Sequence, residues 1–101
     1  MNMGRKNLFE IVGKTEDGRL VVSGIYKFKE SYGIPLDFIF EEIEKNNMII
    51  SWPHLIREAK ECGCNMSKFM TELEYSVLDI YGKKQWEHIK KYYEALKIKN
   101  E

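Results

Sequence analysis

Apolar residues recur along most of this chain at intervals of three, four and seven, the spacing of one buried helical face. The pattern is clearest over 66–81, where Met66, Phe69, Met70, Leu73, Val77, Ile80 and Tyr81 share a stripe. Trp52, Leu55, Ile56, Ala59 and Cys62 form a second stripe, with Arg57, Glu58 and Glu61 outside it. Leu36, Ile39, Phe40 and Ile43 form a third, and Asp37, Glu41 and Glu44 make an acidic ridge on another face of that helix. A last helix, about Lys83 to Lys97, carries Trp86, Ile89, Tyr93 and Leu96 inward.

Start and stop residues frame these stripes. Ser23 is placed to cap a short helix that ends at Tyr32, with Gly33 as its left-handed stop. Pro35 suits the first turn of the next helix, which ends at Asn46-Asn47. Ser51 with Pro53 opens another, Asn65 or Ser67 opens the 66–81 helix, and Gly82 ends it. Only the N-terminal part breaks the helical period. Leu8–Val12 and Leu20–Ser23 are β-branched or aromatic runs, and Asp17-Gly18 between them supplies the positive φ of a tight turn. Met48, Ile49 and Ile50 read as a third short strand or as an extended connector.

The expected fold is mainly α, with about five helices in hairpin-like pairs and a short N-terminal β-hairpin. One domain covers 1–101, the hairpin lying in 7–23 and the helical body in 24–98. An internal echo at an offset of 30 matches Gly33, Ile39, Phe40 and Ile43 with Gly63, Phe69, Met70 and Leu73. It implies two helix–turn–helix units with similar packing needs.

Composition changes this picture little. The chain is 44% hydrophobic and 32% charged, which is globular material rather than a disordered tail. Formal net charge is zero, so bulk electrostatics favour neither nucleic acid nor an anionic membrane. No stretch approaches the roughly 20 apolar residues of a membrane span. A soluble, cytoplasmic protein is expected, with no membrane partner and with Cys62 and Cys64 as free thiols.

Two functional readings follow from the pattern. In the first, the off-stripe apolar residues Phe38, Tyr75, Leu78 and Tyr92, with the acidic ridge of Asp37, Glu41 and Glu44, bind another protein or a second copy of this chain. In the second, Ala59 and Gly63, four apart, hinge a helix-turn-helix whose helices are about 54–62 and 66–81. Ser67, Lys68 and Thr71 would then meet the groove of DNA, and Lys83, Lys84, Lys90 and Lys91 the phosphates. Glu72 stands where that motif usually buries an aliphatic residue, and Glu74 and Asp79 follow it. Carboxylates there repel phosphate, which favours the first reading.

Catalytic and metal chemistry find little support. Cys62 and Cys64 have one residue between them, whereas structural zinc loops use about two to four. His54 lies eight residues before Cys62, and no local pattern aligns either histidine with a nucleophile. Cys62, on the packed stripe, reads as a small buried hydrophobe. No catalytic residue, metal ligand or cofactor is expected.

The order Gly24-Ile25-Tyr26-Lys27, Gly33-Ile34-Pro35-Leu36-Asp37, Ser51-Trp52, then Tyr81-Gly82-Lys83 resembles small helical proteins encoded by phages and prophages. The likeness spans about 24–93. It implies a bacterial cytoplasm and an accessory, non-enzymatic task, and no catalytic residue comes with it.

Overall fold

Three strands and five helices follow one another in the computed structural model, which describes residues 9–99, with the backbone alone at 98 and 99. The strands are β1 (Glu10–Lys14), β2 (Leu20–Ser23) and β3 (Ile49–Ile50). The helices are α1 (Ile25–Tyr32), α2 (Leu36–Lys45), α3 (Trp52–Glu61), α4 (Met66–Ile80) and α5 (Lys83–Lys99). The fold is mainly α, as the periodicity predicts. Leu8, expected in the first strand, lies outside the described residues.

Local chemistry makes the hairpin. The Thr15 amide donates to the Arg19 carbonyl at 2.8 Å, and Gly18 donates to the Thr15 carbonyl at 3.0 Å. The Thr15 hydroxyl also donates to Asp17 and holds that carboxyl below its ordinary pKa. β1 and β2 pair antiparallel, Ile11 opposite Val22 and Gly13 opposite Val21, so Val12 is the extra residue of a bulge. Of the segment Met48 to Ile50, Ile49 and Ile50 form a strand and Met48 lies just before it. β3 pairs parallel with β2, and the Ser51 amide continues the ladder to the Val22 carbonyl at 2.9 Å.

α2 runs through the centre of the helical body, and its stripe of Leu36, Ile39, Phe40 and Ile43 is at most 2% exposed. Leu55, Ile56 and Ala59 of α3 and Leu73 and Val77 of α4 are wholly buried around it. Phe40, Trp52 and Tyr81 meet edge to face with ring centroids 5.4–5.7 Å apart, closing one end of the core. The Leu36 amide meets Glu72, and Phe40, further along α2, meets Tyr81 just beyond α4. The two helices therefore lie side by side and point the same way.

The internal echo has a structural counterpart. Gly33 and Gly63 both adopt left-handed φ, 64° and 78°. Each is followed by an amide that reaches five residues back, Ile34 to the Lys29 carbonyl and Cys64 to that of Ala59. This closure satisfies carbonyls that a helix end leaves open.

Helix starts depart further from expectation. Of the two residues expected to open α4, Asn65 is the cap, its side chain accepting from the Lys68 amide at 3.2 Å, and Ser67 lies inside the helix. Ser51 stands at the cap position of α3, but its hydroxyl meets His54 Nδ1 at 2.6 Å instead of the backbone. Ser23 does not cap α1. It is the buried last residue of β2, and the cap position falls on Gly24, which has no side chain to offer. Glu58 of α3 supplies that cap, and Glu72 of α4 does the same for α2. Glu58 thus leaves the solvent face expected for it. Cys62 is also corrected: it lies just past the end of α3 and is exposed, and half-buried Cys64 is the thiol packed on the core.

Candidate functional site: the groove between α1 and α4

An open groove of about 900 Å³ lies between α1, the first turn of α2 and the N-terminal half of α4. Its geometry follows from the two capping carboxylates. Glu58 holds the start of α1 on α3, and Glu72 holds the start of α2 on α4, so α1 and α4 face each other without closing.

Tyr26 and Phe69 form the floor, edge to face with ring centroids 5.4 Å apart. Burial, followed by a hydrogen bond with the Cys64 thiol, pushes the Tyr26 hydroxyl up to about 12. The phenol is therefore neutral across the physiological range. The Cys64 thiol also donates to Met66 Sδ at 3.6 Å, so this wall is polarizable rather than ionic.

Charge sits along the sides. Lys29 bridges Glu30 at 3.7 Å and Glu72 at 3.5 Å and is largely neutralised by them. Lys68 and Asp37 line the same groove, and neither makes an ion pair among the described residues. Thr71, one turn after Ser67, donates its hydroxyl to the Ser67 carbonyl at 3.0 Å. Tyr75 stands at the lip and is 76% exposed.

The groove gathers residues from both sequence readings. Asp37 and Tyr75, expected to bind protein, share it with Ser67, Lys68 and Thr71, expected to bind DNA. Leu78 is exposed on the next turn of α4, outside the groove. Phe38, 65% exposed, and Glu41 and Glu44 lie on other parts of α2. Tyr92 is half-buried against the core and does not join an exposed patch. Lys83, Lys84, Lys90 and Lys91 are exposed on α5, and none lines the groove. Lys90 pairs with Glu87 at 3.7 Å.

Sequence reasoning missed Tyr26, Lys29, Phe69 and Glu72 as neighbours. A signal did exist. Neither Gly24 nor Pro35 can cap a helix with its side chain, so each N-terminus needed an acceptor from elsewhere. Among the described residues no group of three or more His, Cys, Asp or Glu side chains is placed to hold a metal ion. His54 is in the first turn of α3 and Cys62 follows the last, about 12 Å further along the helix axis, with Cys64 beyond it. No helix among the described residues is long and apolar enough to cross a membrane.

Comparison of the chain with protein-family models, with curated proteins and with solved structures matches none of them.

Proposed function

We propose that this chain works by binding, not catalysis, and that it takes a segment of another protein into the α1–α4 groove. Tyr75 carries the reading, a large ring left 76% exposed at the lip of a groove floored by Tyr26 and Phe69. Exposed aromatics beside apolar recesses are where protein interfaces concentrate their energy. Lys68 and Asp37 add one charge of each sign with no ion-pair partner among the described residues, which would orient a segment bearing the complementary pair. The resemblance over 24–93 favours an accessory task in a bacterial cytoplasm.

A photo-crosslinking phenylalanine analogue at position 75, introduced in cells that express the protein, tests this. The expected result is one recurrent protein adduct, absent when the analogue replaces exposed Lys84 and lost when Thr71→Arg obstructs the groove. Equal labelling from positions 75 and 84 overturns the proposal.

A second reading, DNA binding, draws on one observation: Ser67, Lys68 and Thr71 are all exposed on the first two turns of α4. Glu30, Asp37 and Glu72 line the same groove and oppose phosphate. Retardation of DNA at low salt that weakens steeply as salt rises, and that falls in Lys68→Ala, would establish it over the first. The protein-binding reading predicts no retardation.

A further inference from the structure

Three sulfur side chains fall within five residues at the turn between α3 and α4. Cys62 follows the last turn of α3 and is exposed, Cys64 lies beyond Gly63 and is half-buried, and half-buried Met66 opens α4. Two peptide units separate the cysteines, so their Cα atoms stand within about 7 Å of each other. The Cys64 Sγ lies 3.6 Å from Met66 Sδ. Two sulfurs that share one ion at about 2.3 Å each stand roughly 3.8–4.0 Å apart, so this pair is already close to a chelating separation. Both thiols also lie near one phenol. After burial and the hydrogen bond with Cys64, the charges of Cys64, Glu30 and Cys62 raise the Tyr26 hydroxyl further.

The donor atoms set the ion. Thiolate and thioether sulfur are soft ligands, and together they select Cu(I). Zinc takes Cys, His and carboxylate ligands, four in a structural site, and among the described residues no group of three or more His, Cys, Asp or Glu side chains is placed to hold it. We infer that Cys62, Cys64 and Met66 form a three-sulfur site for a single Cu(I) ion at the α3–α4 turn. On binding, both thiols release their protons to solvent, and two thiolates with one monovalent cation leave a single negative charge.

The surroundings suit that charge. Cys64 immediately precedes Asn65, the cap of α4, so the positive end of that helix dipole lies beside the site. The Tyr26 hydroxyl keeps its proton across the physiological range and is placed to donate it in a hydrogen bond to the Cys64 sulfur, which fixes the direction of that ligand. Cys62, exposed at the helix end, can change rotamer without disturbing the core, and its sulfur completes the set. Of the three ligands only Cys64 lines the α1–α4 groove, so the site does not depend on what the groove binds.

Anaerobic titration of the reduced chain with Cu(I), supplied from a chromophoric Cu(I) chelator, tests the site. One ion per chain is expected to leave the chelator, and X-ray absorption should count three sulfur neighbours at about 2.3 Å. Cys62→Ser, at an exposed position, is expected to weaken binding about a hundredfold or more, because a second ligand on the same chain acts at high effective concentration. Met66→Leu conserves volume and should lower the sulfur count from three to two. Unchanged helical circular dichroism checks that both variants keep the fold. No transfer of copper to the chain overturns the inference. So does a Cys62→Ser variant that binds as tightly as the parent, a Met66→Leu variant that keeps three sulfurs, or displacement of the copper by an equal concentration of Zn(II).

Discussion

The carboxylate of Glu58 accepts a hydrogen bond from the Gly24 amide at 2.9 Å, across 34 residues of chain, and a second from Tyr26 at 3.2 Å. It thereby does for α1 what a neighbouring Ser or Asp would ordinarily do. Gly24, in a left-handed conformation with φ 85°, turns the chain from β2 into the helix and has no acceptor of its own. A negative group at this point also meets the positive end of the helix dipole. One carboxylate therefore ties the end of the sheet, the start of α1 and the body of α3 together.

Removing that group should be felt throughout the molecule. Glu58→Ala is expected to cost about 1.5–3 kcal/mol, since it leaves two amides without a charged acceptor. Glu58→Gln keeps one acceptor oxygen and should lose less. Glu72→Ala should cost less than about 1 kcal/mol, because its contacts with the Leu36 amide and Lys29 are longer, 3.4 and 3.5 Å. Urea unfolding of the parent and the three variants measures the order; midpoints equal to the parent's would show that the caps contribute nothing.

Alkaline pH should destabilise the fold through two tyrosines. Burial, followed by the Cys64 thiol, raises Tyr26 from 10.0 to about 12. Burial and the nearby Glu44 carboxylate raise Tyr81 as well. Between pH 10 and 12 the unfolded chain gives up these protons while the folded chain keeps them. The stabilisation is therefore complete below pH 10 and is lost as pH rises through the folded values. Chemical denaturation across that interval should show stability falling, and Tyr26→Phe should make the fall shallower. A flat profile in the parent protein would contradict the assignment.

Gly63 tests the hinge between α3 and α4. Its φ is 78°, and a Cβ placed there would meet nothing within 4 Å. The cost of Gly63→Ala is then backbone conformation alone, about 1–2 kcal/mol. Gly63→Asn, which tolerates left-handed φ better, should recover part of it. Thermal unfolding compares the two, and an unchanged midpoint for Gly63→Ala would mean that the turn relaxes without strain.

By itself, the chain's pattern determined what depends on near neighbours. The buried stripe of α2, the Asn65 cap, the Gly33 and Gly63 stops and the Thr15–Arg19 turn all lie within a few residues of the groups they serve. Periodicity and turn chemistry act over that distance and can be read directly. Tertiary structure decided the rest. Glu58 sits at a position that the helical wheel assigns to solvent, and only the approach of α1 gives its carboxylate two amides. Cys62 falls one residue past the last turn, where the stripe no longer fixes direction. Parallel pairing of Val21 and Val22 with Ile49 and Ile50, and the meeting of Asp37 with Lys68 and Tyr75 in one groove, join segments about 30 residues apart. Such contacts are selected by how helices pack against one another, and no local spacing encodes that.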